Sequence, residues 1–124
     1  MSGQTHRASC HCGRVAIEFS GTLNEGLACN CSMCGRRGSL LWFAPRETVT
    51  LTTPEAAAAT YLFNSHTIRH RFCPNCGIHV FGEGENEGKA MAAINLRCVE
   101  GLDVDAIPVR HVDGRSFPTI DAQA

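Results

Sequence analysis

Eight cysteines in 124 residues, seven of them packed into three short clusters, constrain this chain more than any other feature of its sequence. The clusters are Cys10-His-Cys12-Gly13, Cys29-Asn-Cys31-Ser-Met-Cys34-Gly35 and Cys73-Pro-Asn-Cys76-Gly77, while Cys98 stands alone. Cysteines at such spacings are either metal ligands or a disulfide framework, and the compartment decides between them. The start, Met1 to Arg7, is polar and has no apolar stretch of the kind a secretory signal needs. No window approaches the apolar length of a membrane span. The expectation is therefore a cytoplasmic protein in a reducing compartment, with the seven clustered cysteines on metal.

The third cluster is the most specific. Cys-Pro-X-Cys-Gly is a zinc knuckle: its tight turn aims both sulfurs at one point, turns backbone N–H groups toward them, and uses the trailing glycine for a positive φ. One knuckle supplies two ligands and a structural zinc takes four. Cys10 and Cys12, another pair with a trailing glycine, are the simplest source of the other two. Such a site closes a loop of roughly sixty residues, a chain-entropy cost of a few kcal/mol that metal binding can offset. Iron is a chemical alternative at any four-cysteine site, whereas heme is unsupported because no Cys-X-X-Cys-His occurs.

The second cluster offers three thiolates within six residues. Three protein ligands leave an open position, the mark of a catalytic zinc. A closed site with a fourth ligand from elsewhere, or a redox cluster, fits the spacing too. Cys98 is the obvious fourth-ligand candidate. In Ile94-Asn-Leu-Arg-Cys-Val99, however, alternation puts it with Ile94 and Leu96 toward a core, and Asn95 and Arg97 on the other face, so a buried, inert thiol is the preferred reading.

The length suits one domain, residues 1–124, and a small core that benefits from a metal staple. Hydrophobic residues at 44% are ordinary for a globular chain, aromatics at 6% make the core light, and a net charge of −1 gives no electrostatic case for a nucleic-acid or acidic-membrane partner. Strands are expected at Arg14–Phe19, where Val15, Ile17 and Phe19 share a face, and at Leu40–Ala44, Val49–Leu51, Thr60–Phe63, Thr67–Phe72, Ile78–Phe81 and Ala90–Val99. Leu27 to Gly38 reads as a loop with one helical turn, Pro54 to Ala59 as a turn or two of helix, and Gly82 to Gly88 as a solvated acidic turn. Beyond Gly101 the pattern weakens to short extended pieces near Ile107 and Val112. Many short antiparallel strands with few or no helices make a mainly β fold. Trp42 and Phe43 are expected in its core, with a pocket wall as the alternative place for Trp42.

Taken together, Cys10 to Gly13, Cys29 to Cys34, Phe72 to Gly77 and the stretch Asn95 to Asp103 resemble the glutathione-dependent formaldehyde-activating family, which also includes centromere protein V. The resemblance runs from about Ala8 to Asp103. It implies a β-tent, a zinc-bearing β-sheet fold shared with B-type methionine sulfoxide reductases. It implies a structural zinc on Cys10, Cys12, Cys73 and Cys76 and a labile catalytic zinc on Cys29, Cys31 and Cys34. The implied activity is S-(hydroxymethyl)glutathione synthase, a carbon–sulfur lyase that joins formaldehyde to glutathione reversibly.

A small thiol such as glutathione and an aldehyde are then the expected partners. Glutathione carries two carboxylates, and Arg36 and Arg37, just past Cys34, together with Arg97, are the candidates to meet them. Arg69 and Arg71 are weaker candidates, and any single arginine of this kind can instead be solvated surface. His66, His70 and His79, near the knuckle, are candidate proton shuttles or fourth ligands, though alternation packs His70 beside Phe72. The competing functional expectation is a non-catalytic zinc module for protein binding, with both metals structural.

Overall fold

The computed structural model describes residues 4–30, 32–62 and 68–112. Strands β1 (Gln4–Ser9), β2 (Ala16–Gly21) and β3 (Gly26–Cys29) precede a six-residue helix, α1 (Ser32–Arg37). Strands β4 (Leu41–Pro45), β5 (Val49–Leu51), β6 (Ala59–Tyr61) and β7 (Arg69–Phe72) follow, then β8 (His79–Asn86), β9 (Lys89–Asn95) and β10 (Val109–Val112). Single 3-10 turns occupy Arg46–Thr48, Glu55–Ala57, Leu96–Cys98 and Val104–Ala106. The fold is mainly β, as the alternating segments require. No described helix is long and apolar enough to cross a membrane.

The strands form two sheets, one of three strands in the order β1-β2-β5 and one of seven in the order β10-β3-β4-β9-β8-β7-β6. All neighbours are antiparallel except β10, which runs parallel to β3. The period-two pattern of β2 buries Ile17 and Phe19 against Val80, Phe81, Ile94 and Leu96 of the larger sheet and the turn after it, in a single apolar cluster. Beyond β9 the chain returns to β1, where Ala8 bridges Val99 and the Glu100 amide donates to the Arg7 carbonyl at 2.8 Å.

Trp42 is half-buried and its ring lies 5.6 Å from that of Phe19, centroid to centroid. It covers Gly21 so closely that a Cβ there would stand 2.4 Å from the indole. Phe43, expected in the core, is 50% exposed, because alternation along β4 turns it to the opposite face of the sheet.

Three further expectations are corrected. The acidic run Gly82 to Gly88 is not a solvated turn: β8 continues to Asn86, and the hairpin is closed by Glu87 and Gly88 alone, at φ +53° and +81°. Two successive left-handed residues are what a two-residue hairpin demands. Arg71 is not surface but 3% exposed, paired with a buried Glu83. Finally, Ala90 to Val99 is not one strand. β9 stops at Asn95, whose side chain accepts from the Arg97 amide and starts the turn Leu96–Cys98. Ile94 and Leu96 are fully buried and Arg97 exposed, as alternation predicts, but Asn95 is buried too, at 6% exposure. The polar start and Gly26–Cys29 supply strands that composition did not signal. The turn Asn64-Ser65 lies outside the described residues.

Candidate functional site

Two turns of similar construction bring four cysteines together. Cys10 leaves β1 and its amide donates to the Val15 carbonyl at 2.9 Å, while the Val15 amide donates back to the Cys10 sulfur at 3.4 Å. Cys73 leaves β7 in the same manner. Its amide donates to the Ile78 carbonyl at 3.0 Å, and its sulfur accepts from the Cys76 amide at 3.4 Å. Gly13 and Gly77, at φ +84° and +82°, close the two turns in the left-handed region that side chains disfavour.

The Cys10 and Cys12 sulfurs are 3.7 Å apart, the Cys12 and Cys73 sulfurs 3.5 Å, and all four, with Cys76, lie within 4.8 Å of one another. A disulfide would bring two sulfurs to about 2 Å. A tetrahedron with metal–sulfur bonds of about 2.3 Å has sulfur–sulfur edges of about 3.8 Å. The cluster therefore fits a metal ion and not a disulfide pair, and these cysteines are free thiols. Cys10 and Cys73 are buried, Cys12 exposed and Cys76 half-buried. The Asn75 side chain and then the Arg14 backbone N–H hold the Cys12 thiol down to about 6. Those donors favour the thiolate a metal needs.

The second cysteine cluster begins where β3 delivers Cys29 as its last residue, and α1 carries Cys34; both are half-buried. Cys31 and His66 lie outside the described residues. Gly38, at φ +73°, closes α1 by donating its amide to the Cys34 carbonyl at 2.9 Å.

Beside α1 lies a cleft of about 600 Å³, lined among others by Met33, Arg37, Tyr61, His79, Arg97 and Cys98. The Arg37 guanidinium donates to the Met33 sulfur. Arg97 donates through Nε to the Gly38 carbonyl at 2.8 Å. Arg36 is exposed on α1 and is not among the residues that line the cleft, and neither are Arg69 and Arg71, which are bound to Glu83. Cys98 sits on a 3-10 turn with its sulfur donating to the His79 carbonyl at 3.4 Å, and burial pushes its thiol up to about 11. It is a protonated, unreactive thiol at neutral pH.

His79 and His70 stand with ring centroids 6.2 Å apart. Burial, with the Arg37 charge adding to it, lowers His79 to about 3 and His70 to about 4. Both are neutral near pH 7, so neither is poised to shuttle protons there.

Asn95 was missed as a site residue. Its buried amide donates to the His79 carbonyl at 2.9 Å and stands 3.7 Å from the Cys98 sulfur. An Asn-X-Arg run after a strand is the available signal, since asparagine readily starts a turn by accepting from the amide two residues on.

A mainly β framework with four convergent cysteines on two glycine-closed turns defines a metal-site protein of the cysteine-cluster class. The family model of the glutathione-dependent formaldehyde-activating enzymes matches residues 5–112, and the chain belongs to that family. It is 31% identical over 84 residues to a Penicillium rubens protein named provisionally as such an enzyme, a match covering 63% of this chain and 44% of the other. A Colletotrichum graminicola protein with the same provisional name is 32% identical over 89 residues, or 68% of this chain and 46% of the other. The chain thus spans under half the length of these curated relatives. A crystal structure of a Rhodobacter sphaeroides protein superposes with a TM-score of 0.73 at 26% identity, covering 84% of this chain and 99% of that one.

Proposed function

We propose that this chain is a zinc-dependent carbon–sulfur lyase that adds glutathione, or a similar small anionic thiol, reversibly to formaldehyde. The observation that carries the reading is the cleft beside α1, where Arg37 and Arg97 face a partly apolar wall next to the helix that bears Cys34. Family membership supports the substrate pair.

In this reading Cys10, Cys12, Cys73 and Cys76 hold a structural zinc, which their sulfur spacing fits. Cys29, Cys31 and Cys34 hold a second, labile zinc. Bound there, that metal would supply a lowered thiol pKa and so keep the substrate sulfur nucleophilic. Arg37 and Arg97 pair the carboxylates of the thiol and fix its direction. Met33, Phe72 and Ile78 turn an apolar surface to its body. The reaction replaces S–H and C=O with C–S and O–H, so the proton lost by sulfur is matched by one gained on oxygen. Addition of a thiol to formaldehyde is intrinsically easy, and positioning is the main service of the cleft.

The test is zinc per chain, followed by formaldehyde consumption by NMR with and without glutathione. Two zinc ions and a rate above the spontaneous reaction support the proposal. Two zinc ions with no added rate support the non-catalytic zinc module instead.

A further inference from the structure

Asn95 and Arg97 link the strand that leaves the cysteine cluster to the segment that closes α1. His79 is three residues past Cys76, and its carbonyl accepts from Asn95 Nδ2 at 2.9 Å. Asn95 Oδ1 accepts from the Arg97 amide at 3.2 Å. The Leu96 amide donates to the Leu40 carbonyl at 2.7 Å, and Arg97 Nε donates to the Gly38 carbonyl at 2.8 Å. Gly38 in turn closes the helix by bonding to Cys34. Every bond in this series ends on backbone or begins from it, so it fixes the path of the chain and not a single rotamer.

Asn95 is buried, and its amide is engaged at both ends. That leaves it little capacity to recognise a ligand, although it lines the cleft. Arg97 is exposed and commits Nε to the helix end. An α-helix of six residues is too short to hold its own place by propensity, so its position depends on what grips its ends.

We infer that Asn95 and Arg97 are positioning residues, which dock α1 against the cysteine-cluster strand and thereby place Arg37 at the cleft. This deepens the lyase reading, and rests on it only for the identity of the ligand.

The experiment uses the zinc-loaded full chain and four variants: Asn95→Asp, which keeps the shape and removes the Nδ2 donor, Asn95→Ala, Arg97→Ala and Arg97→Lys. Hydrogen exchange is followed in peptides covering α1 and, separately, the Cys73–His79 knuckle, and glutathione affinity is followed by NMR titration. Asn95→Asp and Arg97→Ala are expected to speed α1 exchange roughly five- to tenfold and to weaken glutathione binding by a similar factor, with the knuckle unchanged. Arg97→Lys, whose ammonium can still reach the Gly38 carbonyl, should recover most of both. Unchanged α1 exchange overturns the inference, and does so even if glutathione affinity falls, because Arg97 would then act only as a direct ligand contact. Faster α1 exchange in a protein that binds no glutathione at all would uphold the docking role while removing the glutathione reading. If Asn95→Ala does not fold, the isosteric Asp variant and the exposed Arg97 carry the test.

Discussion

Arg71 on β7 and Glu83 on β8 meet diagonally across the strand pair, both almost fully buried, with Arg71 Nη1 3.1 Å from Glu83 Oε1. Around this pair Glu83 also accepts from Arg46 at 2.6 Å and Arg69 at 2.8 Å, and Arg71 reaches the Glu55 carboxylate and the Ala58 carbonyl. The result is a polar knot with Arg71 and Glu83 buried at its centre and Arg69 and Glu55 exposed at its edge. Removing Glu83 leaves the buried Arg71 charge with only the largely exposed Glu55 carboxylate to balance it. Glu83→Ala should therefore cost about 3 kcal/mol, measured by urea unfolding of the zinc-loaded protein.

The same carboxylate gives a pH signature. Burial alone would raise the Glu83 pKa, but the hydrogen bonds from Arg46 and Arg69 and then Arg71 outweigh it and the net shift is downward. A depressed folded-state pKa means stability that is present above the unfolded glutamate value of about 4.3 and lost as pH falls through the folded value. The unfolding free energy should fall below about pH 4, and the slope should flatten in Glu83→Gln. Parallel pH profiles of the two proteins would count against the knot.

Cys76→Ser removes one of four convergent sulfurs, and Cys31→Ser one of the triplet. The first should drop the zinc content and abolish folding, read by circular dichroism. The second should leave the fold intact and remove catalysis. Equal behaviour of the two variants would refute the division into structural and catalytic sites.

Arg37 and Arg36 are neighbours with different surroundings. Arg37→Ala should raise the KM for glutathione roughly tenfold, the order expected for a lost charge-assisted contact. Arg36, off the cleft lining, should give a change of twofold or less on the same substitution.

Gly21→Ala tests packing. Its Cβ would press on Trp42 at 2.4 Å, so a loss of about 1–3 kcal/mol is expected by thermal unfolding. Pairing it with Trp42→Phe, which frees space over the strand, should recover part of the loss.

Much of this was legible in the residues themselves. The trailing Gly13 and Gly77 announce the turns that gather Cys10, Cys12, Cys73 and Cys76, because a knuckle is local chemistry. Val15, Ile17 and Phe19 announce a buried face by alternation alone. Glu83 was not legible, since its burial is decided by Arg46, in the turn just after β4, and by Arg71 on the neighbouring strand β7. Asn95 was lost for a related reason. Alternation assigns Asn95 the face opposite Ile94, but its long-range bond to the His79 carbonyl and its capping of the following turn bury it there.

The contact between Cys12 and Cys73 joins points 61 residues apart in the chain. On the ribosome the first pair of thiols emerges several seconds before its partners, at ordinary elongation rates. Throughout that interval they are a half-site, open to oxidants and to other chains' metals. The supply of metal and reductant during synthesis thus bears on how much of the chain closes this site correctly.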